Sequence, residues 1–250
     1  MIPFLFRFYG NIRTVFQKEW EAYFNTQIGY IFAAAYLLLS SFLFFYGLGE
    51  ESFWQKKIAS MDDYFLWTPL LFTAFLPTLT MRLWSEEKKS GTLEILVTLP
   101  FLKSEIVLGK FLAAWAYLGF VLILTLPIPF SVWAFGDLDL GIVFAGYTGC
   151  YLLGGAYISL GTFLSLFGKD QIGSYILSLL VCLFLFLLGT QPVLKFFGGG
   201  SFSFAGFLSL SSHFESFRMG ILDGKDIFYY ISFILANLYA NIFLLERRYR

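Results

Sequence analysis

Few residues in this sequence have the types that catalysis requires, and their spacing excludes most of the reactions they suggest. Glu86 and Glu87 form a carboxylate pair, the kind that can hold a metal or activate water. A zinc site needs further histidine or cysteine ligands. Here Lys88-Lys89-Ser90 follows the pair, and the only histidine is His213. A nucleotide-phosphate loop needs a glycine, four residues, then Gly-Lys-Ser/Thr, so that backbone N–H groups cradle the phosphates. The Gly-Lys pairs run on as Gly109-Lys110-Phe111, Gly168-Lys169-Asp170 and Gly224-Lys225-Asp226, and none fits. The Gly-x-Ser-x-Gly turn of a serine hydrolase is missing as well. The expectation is a non-enzyme, with no catalytic residues and no metal or cofactor of its own.

The surrounding composition says where these residues must sit. The chain is 58% hydrophobic and 14% charged, with a mean hydropathy of +0.72. A soluble domain carries roughly 25% charged residues, so this one has too little polar material to cover a water-facing surface. Apolar runs recur, each long enough to cross a hydrocarbon core of about 30 Å. They do not alternate as β-barrel strands do. The fold class expected is an all-α membrane protein, one domain over residues 1–250 with six transmembrane helices. The spans fall at about 29–48, 64–80, 106–135, 140–167, 172–189 and 227–245. The third and fourth exceed one crossing; tilt or extension past the bilayer absorbs the excess. No cleavable signal peptide is expected, because the first apolar run begins near Gly29. Cys150 and Cys182 fall inside spans, so no disulfide framework follows.

Lysine and arginine positions orient the chain. Placing the N-terminus in the cytoplasm puts Arg7, Arg13, Lys18, Arg82, Lys88, Lys89, Lys103, Lys110, Lys169, Arg247, Arg248 and Arg250 on that side. Lys56, Lys57, Lys195, Arg218 and Lys225 lie on the other. Both termini are therefore expected in the cytoplasm. The charged stretch from Ser85 to Lys110 becomes a cytoplasmic connection between spans two and three.

Three segments outside the spans have helical patterns. Before span one, Ile12, Phe16, Trp20 and Tyr23 follow helical spacing, which predicts an amphipathic helix over about Asn11 to Gln27, lying in the membrane interface. After span two, Gly91-Thr92 suits a helix start and Leu93, Leu96 and Val97 form an apolar stripe. Pro100 stops that helix, and Ser104 can cap the next. From spacing alone, the stripe suits lipid as well as a partner protein. Between spans five and six, the longest loop opens with Gln191-Pro192 and contains Gly198-Gly199-Gly200. Ser212 to Glu215 then has capping-box spacing, followed by Phe214, Phe217 and Ile221 at helical intervals. A short helix re-entering or lying on the outer leaflet is expected, with His213 in a local hydrogen-bonding role. Asp223-Gly224 gives a turn.

Polar residues inside the spans are few. Asn237 and Asn241 lie four apart on one face of span six, as interhelical hydrogen-bonding groups worth about 1 kcal/mol each or as pathway-lining residues. Gly146, Gly149, Gly154, Gly155, Ser159 and Gly161 crowd span four and predict a tight packing seam. Pro127 and Pro129 predict a kink in span three.

The run from Trp84-Ser85-Glu86-Glu87 through Gly91-Thr92-Leu93-Glu94, then Pro100 and Gly109-Lys110, resembles the ABC-2 type permeases, membrane subunits of ATP-binding-cassette exporters. Lys18-Glu19 and Tyr23-Phe24 are similar to that family's amphipathic lead-in. Ser212-His213-Phe214-Glu215 with Gly220-Ile221-Leu222-Asp223 resembles its gliding-motility and nitrous-oxide-reductase-maturation branch. The resemblance implies that Glu86, Glu87, Gly91, Thr92, Leu93 and Glu94 form a coupling helix that contacts an ABC ATPase subunit, with Lys18 and Glu19 adding contacts. It implies a second permease subunit, identical or not, a location in the inner (plasma) membrane, and ATP with Mg used by the partner ATPase. Nothing points to nucleic acid. Two other classes fit the composition: an ATP-independent channel or secondary transporter, which would need mid-span ionisable groups, and a structural membrane anchor of an envelope or motility assembly.

Overall fold

The structure, a computed structural model, describes residues 2–47, 53–56, 58–98, 100–190, 192–193 and 204–248. The expectations that fall on Leu48, Lys57, Gln191, Lys195, Gly198 to Gly200 and Arg250 lie outside the described residues, as do the side chains of Arg7 and Val97. The described residues are helical with no strand. In chain order the helices are α1 (Ile2–Asn25), α2 (Gln27–Phe45), α3 (Phe53–Lys56), α4 (Asp62–Thr80), α5 (Arg82–Lys89) and α6 (Thr92–Thr98). There follow α7 (Lys103–Leu124), α8 (Pro127–Phe135), α9 (Leu140–Ser165), α10 (Gln171–Leu187), α11 (Phe204–Leu208), α12 (Leu210–Arg218) and α13 (Gly224–Arg248).

Among the described residues, five stretches are long and apolar enough to cross a membrane: Gln27–Phe45, Asp62–Lys89, Lys103–Phe135, Leu140–Ser165 and Gly224–Arg248. The expected fifth span appears as the apolar helix Gln171–Leu187, which at 17 residues sits at the short limit for a crossing. Local chemistry sets the boundaries. Asp139 caps α9 by accepting from the Gly141 N–H at 2.8 Å, and Asp170 caps α10 by accepting from the Gly173 N–H at 3.0 Å. Pro127 begins α8, so the expected kink in the third span is a break at Thr125-Leu126.

α9 is the hub, and its small residues make it so. A Cβ at Gly146 would meet the Phe65 ring of α4 at 2.3 Å, and one at Gly154 would meet Leu118 of α7 at 2.1 Å. Gly149 receives Phe217 of α12, Gly155 receives Trp115 and Ile234, and Gly161 receives Thr80. The seam expected from the glycines is thus a set of sockets that let α4, α7, α12 and α13 close on one helix.

Two expectations change. The lead-in helix is longer than expected, and it packs along α7. Asn11 reaches Glu105, Val15 abuts Gly109, and Phe24 meets Phe120 in an edge contact at 5.4 Å. Its buried stripe is Val15, Glu19 and Tyr23. The outer short helix is capped by Ser209, whose hydroxyl accepts from the Ser212 N–H at 3.3 Å. Ser212 to Glu215 lies inside the helix and is no capping box. The Ser212 hydroxyl instead donates back to the Gly206 carbonyl, and Glu215 pairs with Arg218. α12 buries Leu210, Phe214 and Phe217 against α4, α9, α10 and α13, which makes it a plug within the bundle end. Ile221 stays exposed.

Candidate functional site

The polar residues that the sequence scatters over three segments meet at the end of the bundle where α1, α5 and α7 converge. α5 continues from α4 through Met81, which has helical backbone angles, so the second span extends beyond the apolar belt. That extension exists because one face of α5 is buried: Arg82, Leu83, Trp84, Ser85 and Glu87. The helix stops at Gly91, whose φ of 73° is the left-handed conformation that glycine adopts without strain. Thr92 then starts α6, as its spacing predicted. α7 begins at Lys103, with the Glu105 carboxylate accepting from the Leu102 N–H at 2.8 Å. Ser104, expected as the cap, lies within the first turn.

Lys110 is the centre of the arrangement. Its side chain is 1% exposed. It donates to Glu19 Oε1 at 2.6 Å and to Glu87 Oε1 at 2.9 Å, and its ammonium lies 5.1 Å from the centroid of the Trp84 ring. One cation therefore ties α1, α5 and α7 together. Lys18 reaches Glu87 from the exposed side at 3.5 Å. Burial alone would raise the Glu19 carboxyl. The Lys110 ammonium beside it, which also donates a hydrogen bond, reverses that and holds Glu19 below its ordinary 4.5. Removing one member of such a buried pair costs far more than the pair contributes, because a charge is left without a partner.

Further ties surround this triad. Asn11 donates to Glu105 Oε2 at 2.9 Å. Arg82 reaches the Ala22 carbonyl and the Thr26 hydroxyl, and its guanidinium lies 4.3 Å from the Tyr23 ring centroid. The Trp84 N–H donates to Ser165 Oγ at 3.1 Å, and that hydroxyl donates to the Met81 carbonyl. Lys88 and Arg248 both donate to the Leu166 carbonyl at the end of α9. Any displacement of α5 thus reaches α1, α7 and α9 together.

The residues expected at the coupling segment divide into two groups. Glu86, Gly91, Thr92 and Glu94 are exposed, as is Ile95. Glu87 and Leu93 are buried within the chain. Lys18 is 66% exposed at its side chain, whereas its neighbour Glu19 faces inward. In α13, Asn237 donates to the Phe233 carbonyl of its own helix at 2.8 Å. Asn241 is fully buried, and neither amide atom has a partner among the described residues. The two asparagines therefore form no shared interhelical bond.

Sequence reasoning did not find the triad. Lys110 appeared as the lysine of a Gly-Lys pair and a marker of sidedness. Its one available signal was a cation seven residues into an apolar helix, where a buried lysine needs an acidic partner unless it snorkels to the interface.

At the opposite end, His213 Nδ1 lies 2.7 Å from Asp226 Oδ1, and the imidazole stacks on Tyr229 at 3.8 Å. This is the local role expected for the histidine. No group of three metal-ligating side chains occurs among the described residues.

Apolar helices packed round a glycine-rich hub, with charges gathered at the helix ends, define a multi-pass membrane protein. Residues 50–226 match the sequence model of the ABC-2 family transporter protein family. The match spans most of the chain, which therefore belongs to that family, a family of membrane permease components of ABC transporters that normally work with an ABC ATPase. No curated protein matches the sequence.

Proposed function

We propose that this chain is the permease subunit of an ABC exporter, and that a separate ATPase subunit docks on the α5–α6 turn. The observation that carries this reading is the contrast within that turn. Glu86, Gly91, Thr92, Glu94 and Ile95 are offered to a partner, while Glu87 and Leu93 anchor the same segment inside the chain. A floppy loop would absorb a push from outside. A turn tied through Glu87 to Lys110 and Glu19 passes it to three helices.

The mechanism follows from differential contact. ATP binding favours one arrangement of the ATPase pair. If the turn touches that arrangement better in one membrane state, the population shifts toward that state by the difference in contact energy. Tenfold bias needs about 1.4 kcal/mol, within reach of a few exposed charged contacts. ATP and Mg are used by the ATPase, and this chain performs no covalent chemistry itself. The basic residues at this end, Lys18, Lys88, Lys89, Lys103, Arg247 and Arg248, support a cytoplasmic location for the turn and both termini. Gln171–Leu187 is then the fifth of six crossings of the inner membrane. A second permease subunit, of the same or a different chain, completes the pathway. The run around His213 favours the gliding-motility and nitrous-oxide-reductase-maturation branch.

The test is co-purification of the chain with its ATPase from membranes in mild detergent, followed by ATP turnover in lipid discs. The expected result is a stable complex whose turnover depends on the permease. A chain that purifies without a nucleotide-binding subunit and moves solute without ATP is a channel or secondary transporter instead.

A further inference from the structure

A long groove runs along the outside of α7, between α1 and α9. It consists of two adjoining hollows of about 370 and 760 Å³ that share Ala116 and Tyr151 in their walls. From Leu112 to Ile123 it follows α7 for about 16 Å, at 1.5 Å per helical residue. Its floor is low because Ala116 and Gly119 are small; a Cβ at Gly119 would lie 3.1 Å from the edge of the Tyr151 ring. Its walls are stiff. Trp115 stacks on Tyr151 at 4.5 Å and donates its indole N–H to the Tyr151 carbonyl at 2.9 Å. The lining contains one charged side chain, Arg13, exposed at the α1 end of the groove. Among the described residues, no carboxylate lines either hollow.

We infer that this groove binds an anionic amphiphile, with the head group at Arg13 and an apolar chain along Ala116 and Gly119. Charge complementarity names the occupant. A cation with no carboxylate among the described lining residues selects an anionic head, and the apolar aromatic channel beyond it selects a hydrocarbon tail. The Arg13 end shares its stretch of α1 and α7 with Glu19 and Lys110 of the polar triad, and the Leu126 end lies just past the end of α7. One molecule can therefore place its head in the interface and its tail among the helices. That this amphiphile is the cargo rests on the exporter reading; that it binds does not.

The test uses the whole chain with its ATPase, in phosphatidylcholine vesicles. Phosphatidylglycerol or phosphatidylcholine brominated on the acyl chain is titrated in, and tryptophan quenching is read. The emission of Trp20 and Trp115 is isolated by difference from the Trp20→Phe/Trp115→Phe variant. Brominated phosphatidylglycerol should quench it about fivefold more effectively per mole, the factor expected from one cation at a membrane surface. Arg13→Gln should abolish that preference and Arg13→Lys should keep it. Ala116→Phe, which fills the floor, should lower quenching by both lipids. Equal quenching by the two lipids in the parent protein means boundary lipid only and overturns the inference. Absence of quenching by either overturns it as well, and disulfide formation by Thr148→Cys between two copies would then mark the groove as a copy–copy interface. ATPase co-elution is recorded on the same samples. Its loss with an intact lipid preference overturns the exporter reading alone, and the reverse overturns the groove alone.

Discussion

At the end of the bundle that carries α1, α5 and α6, charges are buried and shared: Lys110, 1% exposed, serves both Glu19 and Glu87. At the opposite end, Arg218 serves two carboxylates, Asp62 at 2.8 Å and Glu215, which are 49% and 47% exposed at their side chains. Both are one cation between two acids. In the first, the cation is shut away from water, so loss of one member leaves a buried charge poorly partnered, and the two pairs tie three helices together. In the second, water screens each pair and can replace either partner, so α12 is held mainly by Leu210, Phe214 and Phe217. The lesson is that similar ion pairs do different work at different depths. The buried one is suited to transmit displacement, and the exposed one to trim a helix end.

The comparison breaks most sharply at Lys110. Lys110→Met strips the buried Glu19 of its partner and leaves Glu87 only the exposed Lys18; it should cost about 3–5 kcal/mol, read as a fall in the thermal unfolding midpoint in detergent. Adding Glu19→Gln and Glu87→Gln should recover much of that loss. A Lys110→Met midpoint equal to the parent's would show that the triad is not buried in the working protein. Packing on α9 should matter at both ends alike. Gly161→Leu drives into Thr80 and Gly149→Leu into Phe217, each at about 1–3 kcal/mol. If only one of the two destabilises, the hub is not continuous.

A smaller effect separates the ends by pH. The Glu19 carboxyl is held below 4.5 in the folded chain, so its contribution is complete above that value. The contribution is lost as pH falls through the depressed value, and stability should drop in that acid window. Glu19→Gln should flatten the drop, measured as unfolding midpoint against pH. Arg218→Ala should cost least, no more than about 1 kcal/mol. A loss as large as that at Lys110 would erase the distinction between the two ends.

Much of this architecture was legible in the sequence because apolar runs and helix breakers are local signals. The glycines of α9, the break at Pro127 and the α6 helix starting at Thr92 all follow from residue type at one position. The depth of the lead-in helix was not legible, since an amphipathic stripe packs against lipid or against α7 with the same spacing. The cap of α12 was misplaced because Ser209 and Ser212 are both good caps, and burial of Leu210 decides between them. Glu86 and Glu87 look identical in sequence. Successive helical residues point about 100° apart, and only the position of Lys110 says which one turns inward. The triad needed three segments to be assembled in space, which no local pattern encodes.

If the ATPase docks on the α5–α6 turn as proposed, Glu94 is the residue whose reversal shows it. Glu94 is exposed, so Glu94→Arg should leave the unfolding midpoint within about 0.5 kcal/mol of the parent. Co-purification with the ATPase, measured by size-exclusion chromatography of the detergent-solubilised complex, should fall at least about tenfold for Glu86→Arg/Glu94→Arg, since reversing two interface charges costs upwards of about 1.4 kcal/mol. Undiminished association and undiminished ATP turnover in that variant would contradict the account and place the dock elsewhere on the chain.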